Sequence, residues 1–168
     1  MNKVSKSGPP GLFDHLSEDE KLNWEIIALL QEDGRMAFST IAEKVGVSEG
    51  TVRNRVRQLR QDNAIQIVAE AAPAAFGFQW NSVVLLKLNP SADIDKVATR
   101  LAAVPEVYYV VQMTGVHDLA VTSFHRDQEH FREFLGEHLY GHNDIIALEP
   151  NINLKVYKMK LKWDPSKI

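Results

Sequence analysis

The stretch that decides the fold is "VGVSEGTVRNRVRQLRQ", Val45–Gln61. Ser48 is a favoured helix N-cap, and Gly46 suits a tight turn that needs a positive φ. After this turn, three aliphatic side chains fall at i, i+4 and i+7 and predict one buried helix side: Val52, Val56 and Leu59. The stretch therefore predicts a turn followed by an amphipathic helix.

The outward side of this helix is polar and basic in a chain whose net charge is -3. Arginine pairs with guanine, asparagine or glutamine pairs with adenine, and a helix start attracts phosphate. A solvated face with ordinary surface charge is the alternative interpretation, but the turn-and-helix spacing favours DNA. Arg55 and Arg60 lie nearer the core boundary, and Arg60 is not among the predicted contacts. The predicted DNA contacts are Ser48, Gly50, Thr51, Arg53, Asn54, Arg55, Arg57 and Gln58.

Two further helices are predicted before this one. Ser17 and Glu20 form a capping-box pattern ahead of an apolar helix face, and a shorter helix runs from Ser39 to about Val45. Three helices joined by short turns describe a helix-turn-helix. The acidic residues lie on the earlier part of this region, so charge is segregated: Glu18, Asp19, Glu20, Glu25, Glu32 and Asp33.

The second half of the chain has a different period. Strand and helix patterns alternate in the order β-α-β-β-α-β, which predicts a ferredoxin-like domain with two helices on one face of four strands. The fold class is α+β, with a winged helix-turn-helix (three helices plus a short strand) before that domain. The predicted boundaries are a flexible tail at 1–16, a DNA-binding domain at 17–65, a strand and linker at 66–80, and a ligand-binding and oligomerisation domain at 81–168.

The last strand is predicted within "INLKVYKMKLKW", residues 152–163, and it carries an irregularity. Apolar residues occupy even positions up to Val156 and odd positions from Tyr157. Because side chains alternate between faces, this change predicts a bulge or a new packing partner. The hypothesis is that the strand leaves its own sheet and that Trp163 packs on another subunit.

Composition narrows the function classes. The 168 residues contain 45% hydrophobic residues and no cysteine, which excludes a disulfide framework and a cysteine nucleophile. No apolar run is long enough to span a membrane, so a cytoplasmic protein is predicted. No metal-binding motif, phosphate loop or nucleophile elbow occurs, so we predict no cofactor, no metal and no enzymatic activity.

Two stretches resemble the Lrp/AsnC (leucine-responsive, feast/famine) transcriptional regulators. They are "LNWEIIALLQEDGRMAFSTIAEKVGVSEGTVRNRVRQLRQDNAI" and "VYYVVQMTGVHDLAVTSFHRDQEHFREFL". The resemblance implies binding of double-stranded DNA and regulation by a small effector, an amino acid. It also implies homodimers that form through the C-terminal sheets and assemble further, for example into octamers. The chain departs from the family at Asn63, where glycine is usual, and at Asn151 and Asn153 in the last strand.

The resemblance places the effector near the hairpin "MTGVHDL". A carboxylate, backbone amides and an apolar wall would suit an amino acid. The predicted effector contacts are Met113, Thr114, Gly115, Val116, His117, Asp118 and Leu119. The alternative is that Gly115 and Asp118 only shape a tight turn.

Two alternative functions compete with DNA-binding regulation. Sirohaem-decarboxylase-like tetrapyrrole enzymes share this two-domain layout, but they usually carry a histidine- and arginine-rich segment after the linker. The corresponding residues 74–88, "AAFGFQWNSVVLLKL", contain neither residue type. The second alternative, a module that assembles without binding DNA, does not explain the outward residues Asn54, Arg57 and Gln58. A sequence-specific regulator is therefore predicted.

Overall fold

The computed structural model of the chain describes residues 15–158. Within this range the chain forms two compact units, a helical one that ends at Ala69 and a mixed one that begins at Glu70. No helix between residues 15 and 158 has the length and apolar character that crossing a bilayer requires.

The first unit contains three helices, whose bounds are α1 Glu18–Glu32, α2 Phe38–Val45 and α3 Glu49–Gln61. The predicted capping box is confirmed, because the Glu20 amide donates to the Ser17 hydroxyl at 3.3 Å and the Ser17 amide donates to the Glu20 carboxylate at 2.8 Å. Gly46 takes the predicted positive φ, 73°, after α2. Ser48 then caps α3 by accepting from the Thr51 amide at 3.1 Å.

The core of this unit follows the predicted helix phase. Ile26, Ile41 and Val52 are fully buried, one from each helix, and Leu59 is partly buried. Asn63 lies just after α3 with φ 54°, so the chain makes a left-handed turn with asparagine in the place where the resemblance implies glycine. Asparagine tolerates the left-handed conformation, so the turn is kept without glycine.

The short strand predicted after α3 is not present. No strand occurs between α3 and Trp80; this segment contains a 3₁₀ turn at Pro73–Phe76. An extended segment becomes a strand only when its backbone hydrogen bonds to a neighbour, and no neighbouring strand lies beside it in the described part of the chain. The first unit is therefore three helices without a wing strand.

The second unit contains four strands and two helices. Their bounds are β1 Trp80–Leu88, α4 Ile94–Ala102, β2 Val107–Gln112, β3 Leu119–His125, α5 Gln128–His138 and β4 Ile145–Ile152. The sheet has the strand order β2-β3-β1-β4, and every neighbouring pair is antiparallel. The predicted β-α-β-β-α-β order is thus confirmed.

One face of this sheet carries the core. Val84 and Leu86 of β1 are fully buried in one cluster with α4 and α5 side chains such as Leu101 and Phe134. The alternate residues Val83 and Leu85 are only partly buried. Because successive side chains of a strand point to opposite faces, both helices lie on one face and leave the other open. We call this other surface the open sheet face.

Over residues 153–158, the predicted position of the last strand was wrong, and residues 159–163 of that prediction lie outside the described residues. β4 ends at Ile152, where the predicted strand began, and residues 153–158 are not strand. An edge strand with one open face shows little apolar alternation, and Pro150 within it further weakens the sequence signal. The alternation at 152–163 gives the stronger strand signal, so the sequence pattern predicts the strand there. The proposed packing of Trp163 on another subunit lies outside the described residues.

Candidate nucleic-acid interface and effector site

The exposed face of α3 displays the side chains that were predicted to meet base edges. Asn54 and Arg57 are exposed, and neither side chain has a hydrogen bond or an ion pair with any other residue between 15 and 158. The Gln58 amide donates to the Asp62 carboxylate at 2.9 Å. Gly50 is exposed at the helix start, and Thr51 shares a hydrogen bond of 2.8 Å with the Ser48 hydroxyl.

Two of the predicted arginines have partners within the protein. The Arg55 guanidinium forms an ion pair with Asp19 of α1 at 2.5 Å, and its side chain is 30% exposed. Arg53 is paired with Glu49, four residues earlier on α3. Arg55 therefore lies on the side of α3 that faces α1, and contact with DNA would require this ion pair to break.

Arg60 is a residue of this surface that sequence reasoning left out. It lines a depression of about 430 Å³ together with Arg53, Arg57 and Gln61 of α3. Phe38 of α2 and Val56 complete the lining. The sequence does contain a signal for Arg60, since the arginines at positions 53, 57 and 60 form one i, i+4, i+7 stripe. The prediction considered only the helix side directly opposite the core.

The hairpin between β2 and β3 is closed by backbone hydrogen bonds, with the Met113 amide donating to the Asp118 carbonyl at 2.9 Å. Gly115 has φ 110°, a conformation that favours glycine. Thr114, Gly115 and Val116 are exposed, so the tip of the hairpin is open to a ligand. Leu119, which was predicted with Met113 as the apolar wall, is fully buried in the core between the sheet and the helices.

Asp118 ties this hairpin to β1. Its carboxylate accepts from the Leu88 amide at 2.8 Å and from the Lys87 ammonium at 3.0 Å. The Leu88 hydrogen bond, followed by the Lys87 contact, lowers the pKa of Asp118 below its ordinary value. The sequence prediction missed Lys87, although a single lysine within the apolar run "VVLLKL" is an unusual strand residue. The geometry agrees with the alternative that Asp118 shapes the turn.

A second contact joins the hairpin to the opposite edge of the sheet. The His117 Nε2 atom lies 3.6 Å from the carboxylate of Glu149 in β4, and the Glu149 side chain is 60% exposed. The hairpin thus brings Met113, His117 and Asp118 together with Lys87 and Glu149 from two strands.

A buried polar cluster lies elsewhere in the sheet. His125 is fully buried, and its Nε2 atom lies 2.8 Å from the Ser123 hydroxyl and 3.3 Å from the Ser82 hydroxyl. Its Nδ1 atom has no hydrogen-bond partner in the described part of the chain. Among residues 15–158, no group of three or more histidine, cysteine, aspartate or glutamate side chains is arranged to hold a metal ion.

Family models match both units. Residues 21–60 match the AsnC-type helix-turn-helix domain, and residues 81–162 match the Lrp/AsnC ligand binding domain.

Relatives of known sequence extend this match over most of the chain. An uncharacterized HTH-type transcriptional regulator of Pyrococcus abyssi is 31% identical over 140 residues, which cover 83% of this chain and 88% of that protein. The HTH-type transcriptional regulator Ptr1 of Methanocaldococcus jannaschii is 27% identical over 140 residues, covering 83% of this chain and 94% of that protein.

Solved structures share the fold. The structure of Escherichia coli AsnC superposes with a TM-score of 0.78 at 21% identity, covering 88% of this chain and 99% of that one. A Neisseria meningitidis transcriptional regulator, solved as a complex with L-Met, superposes with a TM-score of 0.77 at 22% identity, covering 87% of this chain and 94% of that one.

Proposed function

Since this chain belongs to the Lrp/AsnC family of transcriptional regulators, we propose that α3 reads double-stranded DNA through its exposed face. The chain is a helix-turn-helix regulator with a ligand-binding domain. The observation that carries the proposal is the pair Asn54 and Arg57, exposed and without a partner in the described residues. Such side chains are free to pair with adenine and guanine edges in the major groove.

We propose a homodimer as the DNA-binding form. The open sheet face supports this, because it carries Val83, Leu85 and the stacked rings of Tyr108 and Phe124, whose centroids are 4.6 Å apart. Tyr109 is 55% exposed in the same strand as Tyr108. A face of this kind loses apolar surface from water when a second copy covers it. A two-fold dimer would present two copies of α3 to successive major grooves.

We propose that the hairpin binds a small effector of the amino-acid class. The L-Met complex of the Neisseria regulator supports this class, and the exposure of Thr114, Gly115 and Val116 supports the position. In this arrangement Asp118 positions the hairpin through Lys87 and Leu88. An effector changes DNA binding only if it binds one arrangement of the protein better than another.

The test is a titration of DNA fragments from upstream of the protein's own gene, against scrambled duplexes of the same length and composition. We expect tighter binding to at least one native fragment, weaker binding as salt rises, and a change in affinity with one member of an amino-acid panel. Equal affinity for native and scrambled fragments would contradict sequence-specific binding. A protein that binds specifically and responds to no amino acid would contradict the effector proposal alone.

The hairpin gives a first prediction, the loss of effector response in Asp118→Ala. Without the carboxylate, the Lys87 and Leu88 groups lose their partner and the hairpin is no longer tied to β1. We expect the effector-induced change in DNA affinity, typically about 5- to 150-fold for such coupling, to disappear while effector-free DNA binding remains. The measurement is the DNA dissociation constant with and without effector.

The matched control is Asp95→Ala, which removes an exposed carboxylate from α4. Asp95→Ala should respond to the effector as the wild-type protein does. An Asp118→Ala protein with a full effector response would show that the carboxylate is not needed at this site.

A further inference from the structure

The depression beside α3 is lined by arginines that the described acidic residues neutralise only in part. Arg57 and Arg60 both line it, and neither side chain forms an ion pair with an acidic residue in the described range 15–158. They lie three residues apart on one helix, where like charges repel and lower helix stability. An anion bound between them would remove this repulsion.

The remaining lining indicates what kind of anion fits. Arg53 extends the basic stripe by one more turn, and a helix rises about 10 Å over the seven residues from Arg53 to Arg60. Phe38, which is partly buried, and Val56 give the depression an apolar side. A free inorganic anion would gain nothing from this apolar side, whereas a deoxyribose ring could pack against it. The combination favours a sugar-phosphate backbone.

We propose that this depression, the arginine seat, holds the phosphodiester backbone of one DNA strand, with Arg60 as a phosphate-binding residue. The proposal rests on the proposed DNA binding and adds a division of roles within α3. Asn54 lies on the neighbouring stripe and reads bases, while Arg60 fixes the position of the helix on the backbone. Phosphate contacts fix register and carry no sequence information directly.

The experiment separates these roles by salt dependence. Dissociation constants for a specific and a scrambled duplex are measured between low and high salt for wild type, Arg60→Gln, Arg60→Lys and Asn54→Ala. Each lost phosphate contact lowers the slope of log K against log salt by about 1 and weakens binding to both duplexes alike. We expect this result for Arg60→Gln, and a wild-type slope for Arg60→Lys. Asn54→Ala should weaken only the specific duplex and leave the slope unchanged.

The controls distinguish a failure of the arginine seat from a failure of the proposed DNA binding. Arg132→Gln, at an exposed arginine of α5, removes the same charge far along the chain and should leave the slope unchanged. Arg60→Gln must retain the helical circular dichroism and melting temperature of the wild type. A folded Arg60→Gln protein with the wild-type slope overturns the arginine seat while DNA binding stands. A wild-type protein without specific binding overturns the proposed function, and the arginine seat with it.

Discussion

The double variant Asn54→Ala with Arg57→Ala is expected to lose sequence-specific DNA binding. Each good bidentate contact with a base edge contributes about 1–3 kcal/mol of discrimination, so two contacts together give roughly 30-fold to 10⁴-fold weaker binding to the specific duplex. Both side chains are exposed and lack partners in the described residues, so their removal should leave the core of the helical unit intact. The measurement is fluorescence anisotropy on specific and scrambled duplexes.

The test of this prediction is the ratio of the affinities for the specific and the scrambled duplex. Affinity for one duplex is not enough, because Arg57 also lines the arginine seat and its loss should weaken binding to any duplex. In the double variant, the affinities for the two duplexes should converge. Arg132→Gln is again the charge-matched control, because it changes an exposed arginine in the other unit. A double variant that still prefers the specific duplex as strongly as wild type would show that α3 does not read bases with these residues.

The helical unit could be predicted in detail because its signals are local. The Ser17–Glu20 capping box, the positive φ of Gly46 and the Ser48 cap each act within a few residues of their own position. The buried valines of α3 follow from helix periodicity alone. The Arg55–Asp19 ion pair was not predictable in this way, because its two residues are 36 positions apart and meet only after the helices pack.

The sheet unit could be predicted less completely, because its contacts join residues far apart in the sequence. Its order of elements was predicted, but β4 was misplaced because strand pairing is a long-range property and an edge strand shows little alternation. The same reason hid Lys87 from the predicted effector site, since its contact with Asp118 joins β1 to a hairpin 31 residues later. The burial of Leu119 was hidden too, because the spacing within the hairpin does not reveal which face of β3 is buried.

His125 is a further residue that the sequence did not single out, and its environment makes stability depend on pH. The ring packs against Phe131 and Phe134 of α5, with centroid distances of 4.9 Å to each. Burial, together with the neighbouring His130, lowers the pKa of His125 from 6.5 to about 4, and Glu106 opposes the shift. The folded chain therefore keeps this imidazole neutral at a pH where the unfolded chain protonates it.

The sign follows from proton uptake. Between pH 6.5 and about 4 the unfolded chain binds one more proton at His125 than the folded chain, so the free energy of unfolding falls as pH falls. The slope is about 1.4 kcal/mol per pH unit, and the loss across this window is on the order of 3 kcal/mol. Above pH 6.5 the neutral His125 makes its full contribution to the free energy of unfolding, and below about pH 4 this contribution changes no further.

We expect the variant His125→Gln to lack this part of the pH dependence, because glutamine does not titrate. The measurement is urea unfolding of both proteins at several pH values from 7.5 to 4.5, compared as the difference between them, since other histidines and carboxylates titrate in both. Glutamine at a buried site lowers stability at every pH. The readout is therefore how the difference in unfolding free energy between the two proteins changes with pH, not the size of that difference. His142→Gln, at a partly buried ring outside the core, should follow the wild type. Parallel curves for wild type and His125→Gln would mean that the buried imidazole is not the group whose protonation destabilises the sheet.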